Sequence, residues 1–468
     1  MFRTKLLQPG LMLPTVIAVL GLVILTPLAA SAHSNTVYVS PPNGADDTSN
    51  IQSALNTCVA YGKGCTVQLA SGNYLTKQLV AYNFRGTFKG KGKNKTIVEA
   101  LPELDVTGFP QRQNNEFFEC KPNTTDCSWP SLIVFVDGDI HVSDMAIKIS
   151  SVPSTKPWFI GDWEVTALID ALRFMGQYRT SAYVERVAIS GMPDDNDFGF
   201  NVVNGVLFAG EFPRSETPYD YYFLSGTFSV ISSSFNTMYD GAGADGFFTD
   251  SRLTIGGSGT TGNVFENLAV GIDLESLGNS IIEVSHNTVA TGTYASAWVI
   301  PWCCWLPTSP SLFLIHDNTF KPSGPYADGI YLQDDPTDKW IYTVIYNNIV
   351  ETEDIGYGGI SAYSTKGTTI VNNTISGNGA DAIGIWDGAY AAVIGNNVEN
   401  FTASSDLAQI VLDGTTAHST VLCENSNDTV MNQGTDNKLI GCQQVGSNMK
   451  AFNTSRQPKG LRGKSALR

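Results

Sequence analysis

Charge is scarce in this 468-residue chain: Asp, Glu, Lys and Arg together make up 15 % of it. What charge there is leans one way, with 44 acids against 28 bases and a net charge of −16. That sign excludes nucleic acid as a natural partner, because phosphate binding needs a basic face. A polyuronate would also be repelled unless bound Ca²⁺ or a local basic strip reverses the field. Histidines number five, none at metal-ligand spacing, and no Cys-x-x-Cys pair occurs. Zinc-ribbon and thioredoxin chemistry are therefore without support. After Leu11 to Ala29 there is no second long apolar run, so no membrane span is expected in a processed chain. Helical periodicity is absent almost everywhere.

The first 32 residues have the layout of a secretory signal: Arg3 and Lys5, the apolar run, then Ala30-Ser-Ala32 as a small-residue cleavage site. The alternative is an uncleaved anchor, disfavoured by Pro14, Gly21 and Pro27 within the run. Cleavage would remove two bases and no acid, leaving −18. The expectation is a secreted or cell-surface monomer. Its basic tail, 446–468, carries Lys450, Arg456, Lys459, Arg462, Lys464 and Arg468 without an acid and is expected to be disordered. Eight cysteines in an exported chain point to disulfides. Short spacings pair Cys58 with Cys65, Cys120 with Cys127, and Cys423 with Cys442. Adjacent Cys303 and Cys304 are a vicinal bridge, buried thiols, or bonded elsewhere.

What the chain has is a repeat. Thr343-Val-Ile-Tyr-Asn-Asn-Ile-Val and Gly358-Gly-Ile-Ser-Ala are followed by Thr369-Ile-Val-Asn-Asn-Thr-Ile and Ala380-Asp-Ala-Ile-Gly-Ile-Trp. Each unit has an apolar residue, two spacers, an Asn and another apolar residue, then a second short strand of the form Gly-Ile-x-apolar. The Asn positions are Asn236, Asn267, Asn287, Asn318, Asn348, Asn373 and Asn396 (or Asn397), spaced by 31, 20, 31, 30, 25 and 23. Periods of about 20–50 residues mean stacked supersecondary units. Short strands with turn signals make each unit a coil of a parallel β-helix. Stacked in register, the Asn amides can bond along the rod as a ladder. Fold class is all-β: a single-stranded right-handed parallel β-helix of roughly ten coils spanning 33–445. It divides into a capping module at 36–98, insert-rich coils at 99–240 and regular repeats at 241–445. The inserts are rich in aromatic residues and Pro.

Residues 46–58 are the exception to the missing helical pattern. Ser49 and Gln52 are placed for a capping box, and Ile51, Ala54, Leu55 and Cys58 fall on one face, suited to covering the open end of a solenoid. The run Asn43-Gly-Ala-Asp-Asp-Thr-Ser-Asn-Ile-Gln-Ser-Ala-Leu, then Gly64-Cys-Thr-Val-Gln-Leu-Ala-Ser-Gly-Asn-Tyr74, resembles the N-terminal module of the pectate-lyase-like superfamily. That resemblance implies a right-handed parallel β-helix with a capping helix. It implies no single reaction, since the superfamily includes lyases, hydrolases, epimerases, adhesins and tailspikes.

Three aspartates stand two residues before an apolar strand position: Asp245, Asp328 and Asp381. Polygalacturonases of the superfamily carry catalytic carboxylates in the similar setting Asp-Gly-Ile or Asp-Cys-Ile, which makes these three the candidate acid and base. If one coil separates Asp328 from Asp381, two rises of about 4.8 Å put them ~9.6 Å apart, at the upper edge for an inverting pair. Asp334 and Asp387, at the other end of those strands, are candidate ligands for Ca²⁺, the one cofactor the acids suit. The polygalacturonase pattern is incomplete. No Asp-Asp pair precedes the neighbouring strand, no His-Gly occurs, and no Arg-x-Lys falls within 33–445. The pectate-lyase Arg-x-Pro-x-x-Arg run is missing too. Asp-Gly is also an ordinary turn pair.

Trp298, Tyr331 and Trp386 are candidate sugar-stacking rings, with Trp302, Trp305 and Trp340 in the same neighbourhood. Lys89, Lys91, Lys93 and Lys95 alternate. On a strand they would form a cationic strip able to grip an acidic polysaccharide, and in a Gly-rich turn they would simply be solvated. His286 and His316 stand at matching points of two repeats. The expected function is binding, and cleavage by a hydrolase or lyase route, of a cell-wall or extracellular polysaccharide. The alternative is a non-catalytic, adhesin-like rod.

Overall fold

The computed structural model describes residues 35–101, 131–150, 158–160, 163–165, 170–176, 179–193, 199–210, 225–245, 250–275, 278–300, 311–333, 342–353, 356–398, 400–404 and 406–446. Of the two compact units, Met1–His33 and Ser34–Arg468, the first lies outside them. So do the Cys120–Cys127 pair, Cys303, Cys304, Asp334, Trp302, Trp305, Trp340 and the tail from 447 onward.

The unit of construction is a corner. A residue in the left-handed region turns the chain, and the next residue points inward. In eight coils the turning residues are Asp144, Arg186, Ser232, His286, Asp317, Asn347, Asn372 and Gly395, with φ between 51° and 60°, whereas Gly262 before Asn263 has φ −67°. Left-handed φ costs an ordinary L-residue about 1–2 kcal/mol, and Asn and Asp tolerate it best. This accounts for the doubled Asn of the repeats. The first Asn turns the chain, and the second is buried.

The buried amides form the expected ladder. Asn287 donates both its backbone N–H (3.0 Å) and Nδ2 (2.9 Å) to Asn318 Oδ1. Asn318 does the same to Asn348, Asn348 to Asn373, and Asn373 to Asn396. The second Nδ2 hydrogen reaches a strand carbonyl of the preceding coil, such as Val284 O from Asn318 at 2.9 Å. Membership differs from expectation at the N-terminal end. Asn263 heads the row, bonded to Asn287 Oδ1, while Asn267 is exposed and itself left-handed (φ 57°). Asn236 is also outside the row. Its coil uses Ser233, whose N–H donates to Asn263 Oδ1 and whose Oγ accepts from Val187 N–H.

Before and after this corner run two parallel sheets, and a third closes each coil. The first sheet passes from Thr36–Tyr38 through Arg252–Gly256, Ile281–Ser285, Leu312–His316 and Tyr342–Tyr346 to Lys438–Ile440. Fourteen described strands are linked in it, more than the ten or so coils expected. The extra coils lie where the repeats blur. There single strands such as Ser131–Lys148 serve all three sheets without a break, so no turn marks them. The second sheet includes Gly72–Thr76, Thr96–Ala100, Thr319–Pro322, Ile349–Glu351 and Thr374–Gly379. The third runs from the start of Leu79–Lys89 through Asp170–Gly176, Asn204–Gly210, the end of Ser234–Asp245, Val264–Glu275, Thr288–Ile300, Asp328–Gln333, Ile360–Tyr363 and Ile383–Trp386 to Gln443–Val445. Between the sheets lies one continuous apolar core. Its early coils are filled by a phenylalanine column, Phe84, Phe135, Phe174, Phe208 and Phe228, with ring centroids 5.1–5.7 Å apart.

The N-terminal end is covered by the helix Thr48–Tyr61, which buries Ile51, Ala54, Leu55 and Cys58 and is tied to the first sheet by Cys58–Cys65. The capping box does not form. The helix begins after Asp47, and Gln52 instead pairs with the edge strand, donating to Val80 O (2.7 Å) and accepting from Val80 N–H (3.0 Å). A side-chain amide thus finishes the open edge of the third sheet, which would otherwise offer unpaired backbone groups. At the other end, Cys423–Cys442 joins the last two coils. The lysines do not form a strip on a strand. Lys89 ends one, but Lys91, Lys93 and Lys95 lie in the turn to Thr96–Ala100, where Gly92 adopts φ 126°.

Candidate functional site on the third sheet

The strands of the third sheet carry a glycine that explains the Asp-Gly pairs. At Gly241, Gly271 and Gly329 a Cβ would lie 2.5 Å from Phe265, 2.2 Å from Val289 and 2.6 Å from Val350, all side chains of the core. The glycine therefore faces inward because nothing larger fits, and the residue before it is turned to the outer side. Packing confirms the direction. Val270 and Ala295, which precede Gly271 and Ser296, cluster with the outward rings Trp298 and Tyr331 rather than with the core.

Three outward rows result. The first is Asp170, Asn204, Asp240, Val270, Ala295, Asp328, Gly358 and Asp381. The second is Arg173, Leu207, Gly243, Asp273, Trp298, Tyr331, Ser361 and Gly384. The third is Met175, Ala209, Glu275, Ile300, Gln333, Tyr363 and Trp386.

Asp328 and Asp381 stand in one row, two coils apart, with Gly358 between them. Both are buried. Asp328 Oδ1 accepts from Gly358 N–H (3.0 Å) and from Ser361 Oγ (2.6 Å). Asp381 occupies the space that Cβ atoms at Gly358 and Gly384 would need, its Oδ1 being 2.7 and 2.8 Å from those positions. Asp245 is not their counterpart. It ends the strand Ser234–Asp245, its backbone paired with Ala209, and the matching residue of that coil is Asp240, followed by Gly241. Asp387 follows the strand Ile383–Trp386, accepts from Ser364 Oγ and donates its N–H to Asp413 Oδ1. Among the described residues no cluster of three or more acids, histidines or cysteines is placed to hold a metal ion.

The rings form a column along the rod. Trp298 stacks on Tyr331 at 4.0 Å and 7°, Tyr331 meets Tyr363 at 5.2 Å, and Tyr363 meets Trp386 at 6.1 Å. Their faces are turned to one another, and the indole Nε1 atoms of Trp298 and Trp386 are buried. Burial, reinforced by the Asp328 carboxylate, pushes the Tyr331 phenol far above its usual range. Tyr331 therefore stays protonated, and its hydroxyl donates to Gln333 Oε1 at 2.7 Å.

The acids that the motif reading passed over lie in the preceding coils. Asp170, Asp240, Asp273 and Glu275 are all buried on the outer side, with Arg173 beside them. Asp170 is held by Asn204 Nδ2 (2.7 Å), Ser131 Oγ (3.3 Å) and Arg173 Nε (3.3 Å). Burial pushes its carboxyl up, and Arg173, Asn204 and Ser131 oppose the shift. Asp273 and Glu275 are i and i+2 on one strand and so share a face. A sequence signal for Asp273 existed. It is the x of Gly271-Ile-Asp-Leu, the outward position of the repeat.

On the first sheet, His286, His316 and Tyr346 make a second outward column. His316 stacks on Tyr346 at 4.6 Å and lies between Glu283 (3.4 Å) and Asp317 (2.7 Å).

The family model described as a right handed beta helix region matches residues 307–456. No curated protein matches the chain. Among solved structures, the chain is similar to the A-module of the Azotobacter vinelandii mannuronan C-5 epimerase AlgE6, at 12 % identity, 86 % of this chain, 97 % of that one and a TM-score of 0.48. It is similar to DFA-IIIase from Arthrobacter chlorophenolicus A6 at 10 % identity, 89 % and 99 % coverage and a TM-score of 0.48. The Agl-KA catalytic domain is 14 % identical, with 88 % and 68 % coverage and a TM-score of 0.43. These are likenesses of architecture.

Proposed function

We propose that this chain, with its pectate-lyase-like right-handed parallel β-helix fold, is an exported carbohydrate-active protein that binds a polysaccharide along the outer side of the third sheet and hydrolyses it there. One observation carries the reading. Four buried acids and one arginine, Asp170, Arg173, Asp240, Asp273 and Glu275, face the same side of three of four consecutive coils. Burying such groups is costly, and a concentration of them on one face is a mark of acid–base sites.

Asp273 and Glu275 are the acid and base of this proposal. Their Cα atoms are two strand residues apart, about 6.6 Å, so both carboxyls project from one face within reach of a single glycosidic bond. Asp170 and Arg173, three coils toward the N-terminus, then hold a part of the glycan farther along the rod, while Asp240 lines the same row as Asp170. Each coil advances the surface by about 4.8 Å, close to the length of one sugar residue, so a glycan lying along the rod would meet a new rung at each unit. Asp328 and Asp381 take part as rungs of that track, Asp328 already committed to Gly358 and Ser361. Export is supported by the leading segment and by the two local disulfides.

A non-catalytic, adhesin-like rod is the second reading. The mutual stacking of Trp298 and Tyr331 favours it, because those faces are closed to sugar. Incubating the purified chain with a panel of neutral and acidic polysaccharides, with reducing-end detection, separates the two. Reducing ends released by wild type and not by Asp273→Asn support hydrolysis. Binding without any product supports the rod.

A further inference from the structure

Four Asn-x-Ser/Thr triplets fall within the described residues: Asn94-Lys-Thr96, Asn372-Asn-Thr374, Asn400-Phe-Thr402 and Asn427-Asp-Thr429. All four asparagines are exposed and none lies inside a strand. Two more triplets, Asn123-Thr-Thr125 and Asn453-Thr-Ser455, lie outside the described residues.

The Asn372 triplet shows how the coil geometry makes an acceptor. The turning residue of the corner projects into solvent, the buried ladder residue follows, and the third residue begins the second sheet on its outer side. When the turning residue is Asn and the third is Thr, the corner carries an exposed carboxamide with the required hydroxyl two places on. The ladder Asn cannot serve, because two residues after it comes a core position: Ile375 after Asn373, Phe320 after Asn318, Val289 after Asn287. Asn94 stands at the same corner of an early coil, between Leu79–Lys89 and Thr96–Ala100. Asn400 precedes Phe401–Ala403, which pairs with Gly377–Gly379 of the second sheet. Asn427 lies in the turn between Thr420–Leu422 and Thr429–Asn432, close to the C-terminal end.

Their distribution matters as much as their exposure. From Asn123 to Asn372 the sequence contains no such triplet, although Asn is frequent there. That gap covers the coils bearing Asp170, Arg173, Asp240, Asp273, Glu275, Trp298 and Tyr331. Only the Asn427 triplet reaches the third sheet, its Thr429 opening the strand Thr429–Asn432 at the C-terminal end, and no described triplet lies on the outer rows of the middle coils.

We infer that Asn94, Asn372, Asn400 and Asn427 are N-glycan acceptors, placed so that the sugars surround the corner and the ends of the rod and leave the third sheet of the middle coils uncovered. The transfer uses a lipid-linked oligosaccharide diphosphate. The Asn Nδ2 bonds to the anomeric carbon of the first sugar, the bond from that carbon to the diphosphate oxygen breaks, the amide loses one proton, and the lipid diphosphate leaves. The inference rests on export and is independent of whether the third sheet cleaves a glycan.

The test is secretion of the full chain, leading segment included, from a eukaryotic cell line, followed by intact mass and peptide mapping before and after peptide-N-glycosidase. The expected result is glycan at all four positions. Asn372→Gln and Thr374→Ala each remove one glycan, while Thr374→Ser retains it. A secreted chain of bare polypeptide mass overturns the inference, as does an unmodified chain retained in the cytosol. A mass unchanged by Thr374→Ala overturns it at Asn372. Polysaccharide binding measured on the enzymatically deglycosylated chain is expected to equal that of the glycosylated chain. Loss of binding on deglycosylation would contradict the uncovered-face arrangement while leaving occupancy itself intact.

Discussion

Asp273 and Trp298 face each other across one coil boundary in the second outward row of the third sheet. On the N-terminal side of that boundary the outer side is acidic and carries Arg173. On the C-terminal side it is a column of rings. The same backbone rung thus changes from ionisable to aromatic within one coil rise, and the proposed chemistry lies on the acidic side of that line.

Arg173 is the cation of the acidic side, and with Asp170 it forms a buried pair. Replacing Arg173 with Met keeps the volume but leaves Asp170 uncompensated. The expected loss is about 3–5 kcal/mol, the usual cost of removing one partner of a buried pair. Denaturant midpoints of wild type and Arg173→Met check it. The double change Asp170→Asn with Arg173→Met should recover part of the loss, because no lone charge remains.

The ladder gives a contrast between two asparagines that look alike in sequence. Asn318→Ala removes the acceptor of two Asn287 bonds and the donor to Val284 and Asn348. Each buried group left unsatisfied costs about 1–3 kcal/mol. Asn267→Ala removes an exposed side chain, and its packing effect should stay within ~0.5 kcal/mol apart from the cost of a left-handed Ala. Thermal unfolding of the two variants should separate them clearly.

Acid stability has one legible contributor on the surface. Arg186 donates to Asp144 through Nε (2.7 Å) and Nη2 (3.0 Å), and this hydrogen-bonded fork holds the Asp144 carboxyl below its ordinary value of 3.8. A depressed carboxylate stabilises the fold above its unfolded pKa, and that contribution is lost as pH falls through the folded value. Arg186→Ala should therefore lower stability near neutrality and converge with wild type once the pH has fallen through the titration of the folded Asp144 carboxyl. Both side chains are partly exposed, so the difference should stay within ~1 kcal/mol and shrink with added salt. Unfolding curves from pH 2 to 7 at low and high salt measure it.

Much of the architecture was readable from residue spacing, because the corner repeats a chemical requirement: a residue tolerant of left-handed φ, then a buried amide, then an outward residue. Asn287 to Asn396 follow it strictly and were legible. Asn263 was not, because the apolar-flanked Asn267 four residues on offered an equally good pattern. The site was harder. Asp240-Gly and Asp245-Gly are the same dipeptide, and only strand register places Asp240 rather than Asp245 in the row of Asp328. Asp273 and Glu275 stood in the open as the outward positions of a Gly-Ile-x-apolar strand. Attention to the acids before each strand concealed them. Asp170 and Arg173 belong to a coil with no repeat signature, in which phenylalanines fill the core.

The central claim is that Asp273 and Glu275 act on a glycan at the outer side of the third sheet. Its most direct measurement is reducing-end release from the best-bound polysaccharide of the panel by wild type, Asp273→Asn, Glu275→Gln and, as a control on the first sheet, His316→Ala. Wild type and His316→Ala should release product at similar rates, while each carboxylate variant should fall by about 10²–10⁴-fold with its folded structure retained. Equal rates in Asp273→Asn and wild type, or no product from any polysaccharide, would contradict the account.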